Sequence, residues 1–301
     1  MLDRRLQVFS TVARLLSFTK AGKVLYMTQP AVTFQIRQLE EHFNTRLFDR
    51  THNRISLTQA GELVKGYAER ILTLHGEMEN EVRTLTGDVS GPLILGASTT
   101  IAEYVILGLL GQFHDEHPNV AVRLRVRNTL GVVHMVENND IDLGIVEGPV
   151  NNKNLVNDAL WHDELVLACP SAHTLASRTR VKVDDVLQYP FISREEGSGT
   201  RAVTENYFKQ CNVSFADLNI TMELGNPESI KSAVEAGLGV AILSIATLEK
   251  ELKLGSLAAV SLEPKITRPF SIVYQRQQFR MRAIEEFIKF VEARRSPGLP
   301  D

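Results

Sequence analysis

The sequence has few cysteines and lacks any long apolar run. Its two cysteines, Cys169 and Cys211, are too few for a disulfide framework and are typical of thiols in a reducing cytosol. A redox-sensing pair is the alternative. Residues 1–5 lack the apolar core of a signal peptide, and no apolar stretch approaches the ~20 residues that cross a bilayer. We therefore expect a cytoplasmic protein without a membrane segment.

The charges of the chain are unevenly distributed. Of the 301 residues, 44% are apolar and 23% charged, as in folded globular proteins, and the length favours two domains. The net charge is −3, but residues 1–58 hold nine Lys/Arg against four Asp/Glu. The remainder of the chain is acidic. A basic head on an acidic body indicates that only the head binds a polyanion.

Three short helices are predicted in the head, over residues 2–16, 20–25 and 28–43, from apolar residues that recur every three or four positions. The last two are joined by a tight turn, as in a helix-turn-helix. Thr28 is suited to the N-cap of the third helix and Pro30 to its first turn. We expect the residues opposite its apolar stripe to enter a DNA groove. These DNA-binding candidates are Thr28, Gln29, Pro30, Thr33, Phe34 and Arg37.

A hairpin "wing" is predicted over residues 46–57, where two short apolar runs flank the polar tip 51–53. Arg50 and Arg54 bracket this tip and are suited to DNA phosphates. The alternative is a solvated hairpin with ordinary surface arginines.

A long helix follows, from Thr58 to about Leu85. Its apolar stripe has a period near 3.5, which favours a seam between two helices, and hence a dimer, over a globular face. The stripe consists of Ala60, Val64, Tyr67, Ile71, Leu74, Met78, Val82 and Leu85. The small and polar segment 87–92, which ends in a proline, predicts a domain boundary.

Strands and helices alternate beyond this boundary, which predicts an α/β domain with a parallel sheet and helices on both faces. The predicted strands are 93–97, 120–127, 141–146, 165–169, 191–193, 219–224, 240–243 and 270–274. The predicted helices are 100–117, 130–137, 201–210, 227–236 and 280–294. Two similar α/β units joined by crossing strands would leave a cleft between them.

Two helix starts in this domain are rich in hydroxyl and backbone N–H groups, which suit an anion at the carboxyl ends of strands. One is 98–100 and the other is the loop 194–201; for Asn226, at a third helix start, simple capping is the better interpretation. The predicted effector-binding residues are Ser98, Thr99, Thr100, Arg194, Gly197, Ser198, Gly199, Thr200 and Asn226.

Other chemistry finds little support in the sequence. The glycines of 197–202 lack the acidic partner of a dinucleotide site, and the cluster 114–117 is better interpreted as a solvated helix end than as a metal site. Glu103 and Glu147 could be general bases, but no partner for either is evident. We therefore predict no enzymatic activity, no cofactor and no metal.

Several short motifs of the head occur in a characteristic order: Ser17–Ala21, Leu25, Thr28–Thr33, Gln35-Ile36 and Leu39-Glu40, and then Leu47–Arg50 and Leu57–Gly61. Together these motifs resemble the N-terminal signature of LysR-type transcriptional regulators. The order is right and the spacing ungapped, and the match covers most of the first 61 residues. The remainder resembles the family's effector domain in layout, with a weaker sequence match.

This resemblance implies an α/β protein with an N-terminal winged helix-turn-helix, a long linker helix and a two-lobed effector domain like a periplasmic binding protein. We predict a DNA-binding domain over 1–58, a linker or dimerisation helix over 59–90 and an effector domain over 91–301. Lobe I of that domain is about 91–163 with 269–301, and lobe II is about 164–268.

The resemblance also implies a homotetramer, built as a dimer of dimers on pseudo-palindromic promoter DNA, with RNA polymerase as a further partner. The family's DNA-contacting positions fall on the helix residues named above and on Arg50 and Arg54. Phe34 departs from the family, where a basic residue is frequent, and Gly22 stands where alanine is usual. The 194–201 loop is similar to that of members that sense small anions in sulfur assimilation or carbon fixation.

The predicted function is therefore sequence-specific transcriptional regulation controlled by a small, anionic metabolite bound between the lobes. Two alternatives remain. A cytoplasmic small-anion binding protein without gene control would explain residues 93–301 but not the basic head. An α/β enzyme with an attached DNA-binding domain would need catalytic residues that the sequence does not display.

Overall fold

The computed structural model of the chain describes residues 4–51, 54–85, 89–276 and 281–295. Apart from Met281, these residues fall into two compact units, one within 4–85 and one formed by 89–276 with 282–295. No helix in these described ranges is long and apolar enough to cross a lipid bilayer. The two units are taken in turn.

The first unit is a three-helix head with a two-stranded wing and a long final helix. Its elements are α1 (Arg4–Leu15), α2 (Phe18–Leu25), α3 (Gln29–His42), β1 (Phe48–Thr51), β2 (Arg54–Leu57) and α4 (Gln59–Leu85). Phe9, Phe18 and Phe48 form an aromatic centre, with ring centroids 5.3 and 5.7 Å from that of Phe48. The predicted winged helix-turn-helix and long helix are thereby confirmed. The tip residues His52 and Asn53 lie outside the described residues, as do Gly87 and Asp88 of the predicted boundary.

Local chemistry fixes the start of α3. The side chain of Thr28 accepts a hydrogen bond from the N–H of Ala31 at 3.4 Å, and Pro30 lies in the first turn. Val32, Ile36 and Leu39 are buried against the head's core. The helix axis and rotation are therefore set by packing, which leaves the opposite face open.

The apolar surface of α4 divides into two parts. Ala60 and Val64 pack against the head's own core, so the prediction that they belong to an intermolecular seam is wrong for these two. Ala68 is also buried. A second set of apolar side chains is exposed along the helix: Leu63, Tyr67, Ile71, Leu74, Met78 and Val82.

The second unit alternates strands and helices in two lobes. Its strands are β3 (Gly91–Ser98), β4 (Val120–Arg127), β5 (Leu143–Glu147), β6 (Leu155–Pro170), β7 (Arg180–Lys182), β8 (Phe191–Arg194), β9 (Ile220–Leu224), β10 (Ala241–Ser244) and β11 (Leu257–Gln275). Its helices are α5 (Thr99–Tyr104), α6 (Ile106–Glu116), α7 (Thr129–Glu137), α8 (Val183–Val186), α9 (Gly199–Gln210), α10 (Pro227–Glu235), α11 (Glu249–Leu254) and α12 (Arg282–Glu292). Short 3₁₀ turns occur at Phe215–Asp217 and Ile245–Thr247.

The main sheet is mixed, which corrects the expected parallel sheet. β3 pairs in parallel with β4 and β5, whereas β11 pairs antiparallel with β5 and β6, and β6 antiparallel with β10. β6 and β11 are 16 and 19 residues long. They run together from one lobe into the other, and their pairing places Arg268 opposite Asp163 at the junction. The two lobes are therefore connected by the paired strands β6 and β11.

One predicted helix is two helices in the structure. The expected helix over 100–117 is interrupted at Val105, whose φ of −121° and ψ of −54° separate α5 from α6. The carboxyl end of β3 thus leads into a helix of only six residues, α5. Ser98, Thr99 and Thr100 lie at this turn.

Candidate functional site

The candidate DNA-binding surface is the outward face of α3. Gln29, Pro30, Phe34 and Arg37 are exposed and Thr33 is half-buried. The side-chain amide of Gln29 donates to the Thr33 hydroxyl at 3.1 Å, and that hydroxyl donates to the Gln29 carbonyl at 3.0 Å. Phe34 is 57% exposed, although an apolar ring gains nothing from water. This face offers hydrogen-bonding groups and one aromatic ring to a partner.

The wing and the turn before α3 adjoin this surface in sequence. Arg50 lies in β1 opposite Ile55, and Arg54 lies in β2 opposite Thr51, so both are backbone neighbours of the wing tip. Tyr26 forms the turn between α2 and α3 in a left-handed conformation (φ 53°) and is 95% exposed. Tyr26 was not predicted as a site residue, although a large aromatic residue between two predicted helices is a visible signal.

A second candidate site lies where the strands of the two lobes end. In lobe I, β3 ends at Ser98 and β5 at Glu147, and both side chains are fully buried. The Ser98 hydroxyl does not cap α5 but donates to Oε2 of Glu147. Thr100 hydrogen bonds to the same carboxylate. Glu147, for which no partner was evident in the sequence, is thus held by two of the predicted effector-binding residues.

Lobe II contributes Arg194 at the end of the buried strand β8. Arg194 is only 3% exposed, and its Nη2 donates to the Thr99 hydroxyl of lobe I at 2.9 Å. Its Nε and Nη2 also donate to the Glu195 carboxylate at 2.8 and 3.0 Å. The predicted residues Thr99 and Arg194 therefore meet directly across the lobe boundary.

A second buried arginine, Arg268 of β11, was not predicted. Its Nε donates to the Asp163 carboxylate at 2.8 Å, and its Nη1 to the Thr200 hydroxyl at 3.0 Å. The other oxygen of Asp163 accepts from Ser244 at 2.6 Å. Arg268 is 2% exposed and Asp163 5%. No local motif could reveal this pair, because its members are 105 residues apart.

Both guanidinium groups retain donors that the protein does not use. Over the described ranges, Nη1 of Arg194 and Nη2 of Arg268 are buried without a hydrogen-bond partner. A buried charged donor left unsatisfied costs about 1–3 kcal/mol or more. Burial raises the pKa of the Glu147 carboxyl, while the positive charges of Arg268 and Arg194 act in the opposite direction. This arrangement can bind an acceptor with negative charge.

The loop before α9 closes over the site. The Leu130 N–H donates to the Gly197 carbonyl at 3.1 Å, and the Asn128 side chain donates to the Glu196 carbonyl at 3.0 Å. A Cβ at Gly199 would lie 1.8 Å from the carbonyl oxygen of Glu147, so only glycine permits this approach. The two lobes are therefore in direct contact at this loop.

Ser198 and Asn226 serve as helix caps. Ser198 is buried and its hydroxyl accepts from the Arg201 N–H at 3.4 Å. Asn226 caps α10, since its side chain accepts from the Ser229 N–H at 2.8 Å. Ser198 borders the closing loop, whereas no hydrogen bond found within the described ranges joins Asn226 to the cluster around Arg194. Their roles as effector ligands stay predictions.

A second interlobe contact lies apart from this cluster. The Tyr104 hydroxyl of lobe I donates to Glu228 of lobe II, and buried Lys231 pairs with Glu228 and Glu251 at 2.8 and 2.9 Å. Glu103 borders the same region, and its pKa is raised by burial and by the negative charge of Glu228. The Tyr104–Glu228 hydrogen bond is therefore the contact between the lobes, whereas the ion pairs of Lys231 lie within lobe II.

The remaining candidate residues have structural environments. Burial raises the pKa of the Cys169 thiol to about 11, so at neutral pH this thiol is protonated and unreactive. Cys211 is half-buried. In the 114–117 cluster, Glu116 pairs with Arg294 at 2.8 Å, and the His117 ring contacts Phe113 at a centroid distance of 4.7 Å.

Comparison with known proteins matches both units to one family. Residues 4–62 match the model of the bacterial regulatory helix-turn-helix protein, lysR family, and residues 86–296 match the LysR substrate binding domain. A "Probable RuBisCO transcriptional regulator" of Trieres chinensis is 36% identical over 291 residues, covering 94% of each chain.

Solved structures agree with this assignment. A full-length OxyR variant from Pseudomonas aeruginosa covers 100% of this chain and 99% of its own, with a TM-score of 0.72 at 20% identity, which supports the fold alone. The CcmR regulatory domain of Synechocystis PCC6803, in complex with 2-PG, is 29% identical and covers 69% of this chain and 99% of its own, with a TM-score of 0.64.

Proposed function

Because the chain belongs to the LysR family of DNA-binding transcriptional regulators with an effector-binding domain, we propose that it reads promoter DNA with α3 and the wing. The base-reading positions are Gln29, Pro30, Thr33 and Phe34, with Thr28 and Arg37 at either end of the face. Arg50 and Arg54 hold the phosphates beside the groove. The open, hydrogen-bonding face of α3 supports this assignment. Membership in a family of regulators implies a role other than catalysis.

The effector in this proposal is a small anion held between the lobes. One observation carries it: two buried arginines each keep an unused N–H donor beside the hydroxyls of 98–100 and Thr200. Charged hydrogen bonds of this kind are among the stronger ones in proteins. Gly197, Ser198 and Gly199 form the loop that covers the site, and Asn226, which caps α10, is the remaining predicted effector contact.

We assign residues 1–58 to DNA binding, 59–90 to dimerisation and 91–301 to effector binding, the bounds expected from the sequence. The exposed stripe of α4 supports dimerisation, because a partner helix would remove Leu63, Tyr67, Ile71, Leu74, Met78 and Val82 from water. Two such dimers form the proposed homotetramer on double-stranded promoter DNA, with RNA polymerase as the further partner.

The relatives suggest the first molecules to test. A regulator named for RuBisCO genes makes the promoter of such genes a candidate target, and 2-PG is a candidate effector because it occupies the CcmR regulatory domain. Effector binding would shift the population between open and closed lobes, which in turn alters how the assembly holds DNA.

DNA footprinting tests the α3 assignment. Thr33→Ala and Gln29→Ala are expected to lose the specific footprint while the protein remains dimeric, since each removes a group that faces the groove. Thr11→Ala is the matched control, because the Thr11 hydroxyl donates to the Gln7 carbonyl at 2.9 Å as that of Thr33 does to Gln29. Normal footprints with both α3 variants would show that this face does not read DNA.

A thermal-shift screen of 2-PG and inorganic sulfate tests the effector site. Arg268→Lys keeps the charge but removes the free Nη2, and loss of a charged hydrogen bond of roughly 1.5–3 kcal/mol weakens affinity about 10- to 150-fold. Arg178→Lys is the control, since Arg178 forms an exposed pair with Asp185 in the same lobe. An undiminished shift in the Arg268 variant would place the effector elsewhere.

A further inference from the structure

Glu147 is an unexpected group in a site for anions. Its side chain is 1% exposed, and its carboxylate lies among Ser98, Thr100 and the two arginines whose free donors define the site. A carboxylate there competes with an incoming anion for the same positive charge. The site must resolve this conflict when an anion binds.

The charges that surround Glu147 can be followed element by element. β11 contributes Arg268, which is paired with Asp163 of β6, and β8 contributes Arg194, which is paired with Glu195. The turn from β3 into α5 contributes the hydroxyls of Ser98 and Thr100. Thr129 of α7 donates to the Glu147 carbonyl at 2.8 Å, and α9 approaches it with Gly199. Glu103 of α5 is exposed and is not among the charges that act on Glu147, although it interacts with the charge of Arg194.

The sum of these charges depends on Glu147. With Glu147 ionised, two arginines face three carboxylates, which gives the cluster a net charge of −1 and makes it a poor receptor for an anion. With Glu147 protonated the cluster is neutral, and the free donors of Arg194 and Arg268 can be given to the ligand. In a buried site of low dielectric constant, the negative charge of a nearby bound anion strongly opposes the ionisation of Glu147.

We propose that Glu147 couples effector binding to proton uptake, so that the site closes on an anion only when Glu147 carries a proton. This inference rests on the proposed effector site between the lobes. The bound anion then accepts from Arg194 Nη1 and Arg268 Nη2, while protonated Glu147 can itself donate to the ligand.

The direction of the pH dependence follows from burial. Desolvation raises the pKa of Glu147, and an adjacent bound anion raises it further. As the pH rises, the free protein loses the proton that the complex requires. Affinity for the anion therefore weakens with increasing pH, and the limit for one proton per anion is about a tenfold loss per pH unit.

The test measures affinity of the full-length protein for sulfate and for 2-PG between about pH 6 and pH 9. Sulfate keeps its charge over this range, so any change in its affinity comes from the protein. Wild type is expected to lose affinity as the pH rises. Glu147→Gln, which keeps the shape and a hydrogen-bonding carbonyl, is expected to bind sulfate with no dependence on pH and more tightly than wild type at the alkaline end. Glu249→Gln is the control, since Glu249 is an exposed carboxylate paired with Lys253, and it should keep the wild-type slope.

Calorimetry of wild type supplies a second measurement that does not depend on a variant. Titrations at about pH 9, in two buffers of different ionisation enthalpy, count the protons taken up per sulfate, and a value approaching one supports the proposal. A value of zero, or an unchanged slope in Glu147→Gln, would overturn it. So would affinity of wild type for sulfate that does not change between about pH 6 and pH 9, because binding would then require no proton on Glu147.

Failure of this inference can be separated from failure of the proposed site. If sulfate or 2-PG binds, Arg268→Lys weakens it and the proton count is zero, the site stands and proton coupling is wrong. If neither anion binds at any pH, or if Arg268→Lys binds them as wild type does, the anion site itself is wrong, and the inference falls with it.

Discussion

The closed contact between the lobes depends on a residue without a side chain. A methyl group at Gly199 would lie 1.8 Å from the Glu147 carbonyl oxygen and 2.6 Å from the Thr129 hydroxyl. Real Cβ atoms essentially never come within 3.0 Å of such atoms, so the two must separate by more than about 1 Å. The carbonyl belongs to the backbone at the end of a buried strand and cannot turn away. Gly199→Ala is therefore expected to open the lobes of the free protein.

The magnitude follows from the cost of overpacking. Forcing one extra methyl group into a packed contact costs typically about 1–3 kcal/mol. If that cost falls on the closed state, the open state gains roughly 5- to 150-fold in relative population. The Leu130 amide reports directly on the separation of the lobes, because its hydrogen-bond acceptor is the Gly197 carbonyl across the lobe boundary.

Hydrogen exchange of the Leu130 amide measures this change, and we expect it to accelerate by that factor in Gly199→Ala. Gly225→Ala is the control, since a Cβ at Gly225 meets no atom within 4 Å and Gly225 precedes α10 of the same domain. Exchange of Leu130 at the wild-type rate, in a Gly199→Ala protein that folds normally, would refute the argument that glycine is required for closure.

Two further predictions concern the first unit. Arg54→Ala is expected to weaken specific and nonspecific DNA binding alike. The slope of log affinity against log salt concentration should become shallower by about 0.9, the value for one lost phosphate contact. An unchanged slope would mean that Arg54 does not contact a phosphate. Leu74→Glu, in the exposed stripe of α4, should shift the dimer towards monomer in sedimentation velocity, because burying a charge at the seam is costly. Leu254→Glu is the control, since Leu254 is another exposed leucine, and it should leave the dimer intact.

The head could be predicted from the sequence because its signals are local. The Thr28 cap, the proline in the first turn and the stripe of Val32, Ile36 and Leu39 specify α3 within a short stretch of chain, and the structure reproduces all three. The long helix α4 was predicted for the same reason. Its apolar stripe was misjudged at Ala60 and Val64, because periodicity alone cannot tell a helix face that packs within the chain from one that awaits a partner.

The candidate effector site was predictable only in part. The hydroxyls of 98–100 and the 194–201 loop follow apolar strands and precede helices, which is a local signal. Arg268 and Asp163 have no such local signal. Each lies in a half-polar stretch of a long strand, where the apolar run expected of a buried strand is absent. Only the pairing of β6 with β11 brings them together. This part of the site thus depends on long-range strand pairing, which no local pattern in the sequence encodes.

Glu147 takes part both in the contact between the lobes and in the proposed proton uptake. The Glu147 carbonyl packs against Gly199, and its carboxyl group is the proposed proton acceptor, so separation of the lobes also admits water to that carboxyl. Hydration removes the desolvation that raises its pKa. Gly199→Ala should therefore shift the fall in sulfate affinity to lower pH than in wild type, whereas Gly225→Ala should not. A pH profile that Gly199→Ala leaves unmoved would mean that burial by lobe II does not control the ionisation of Glu147.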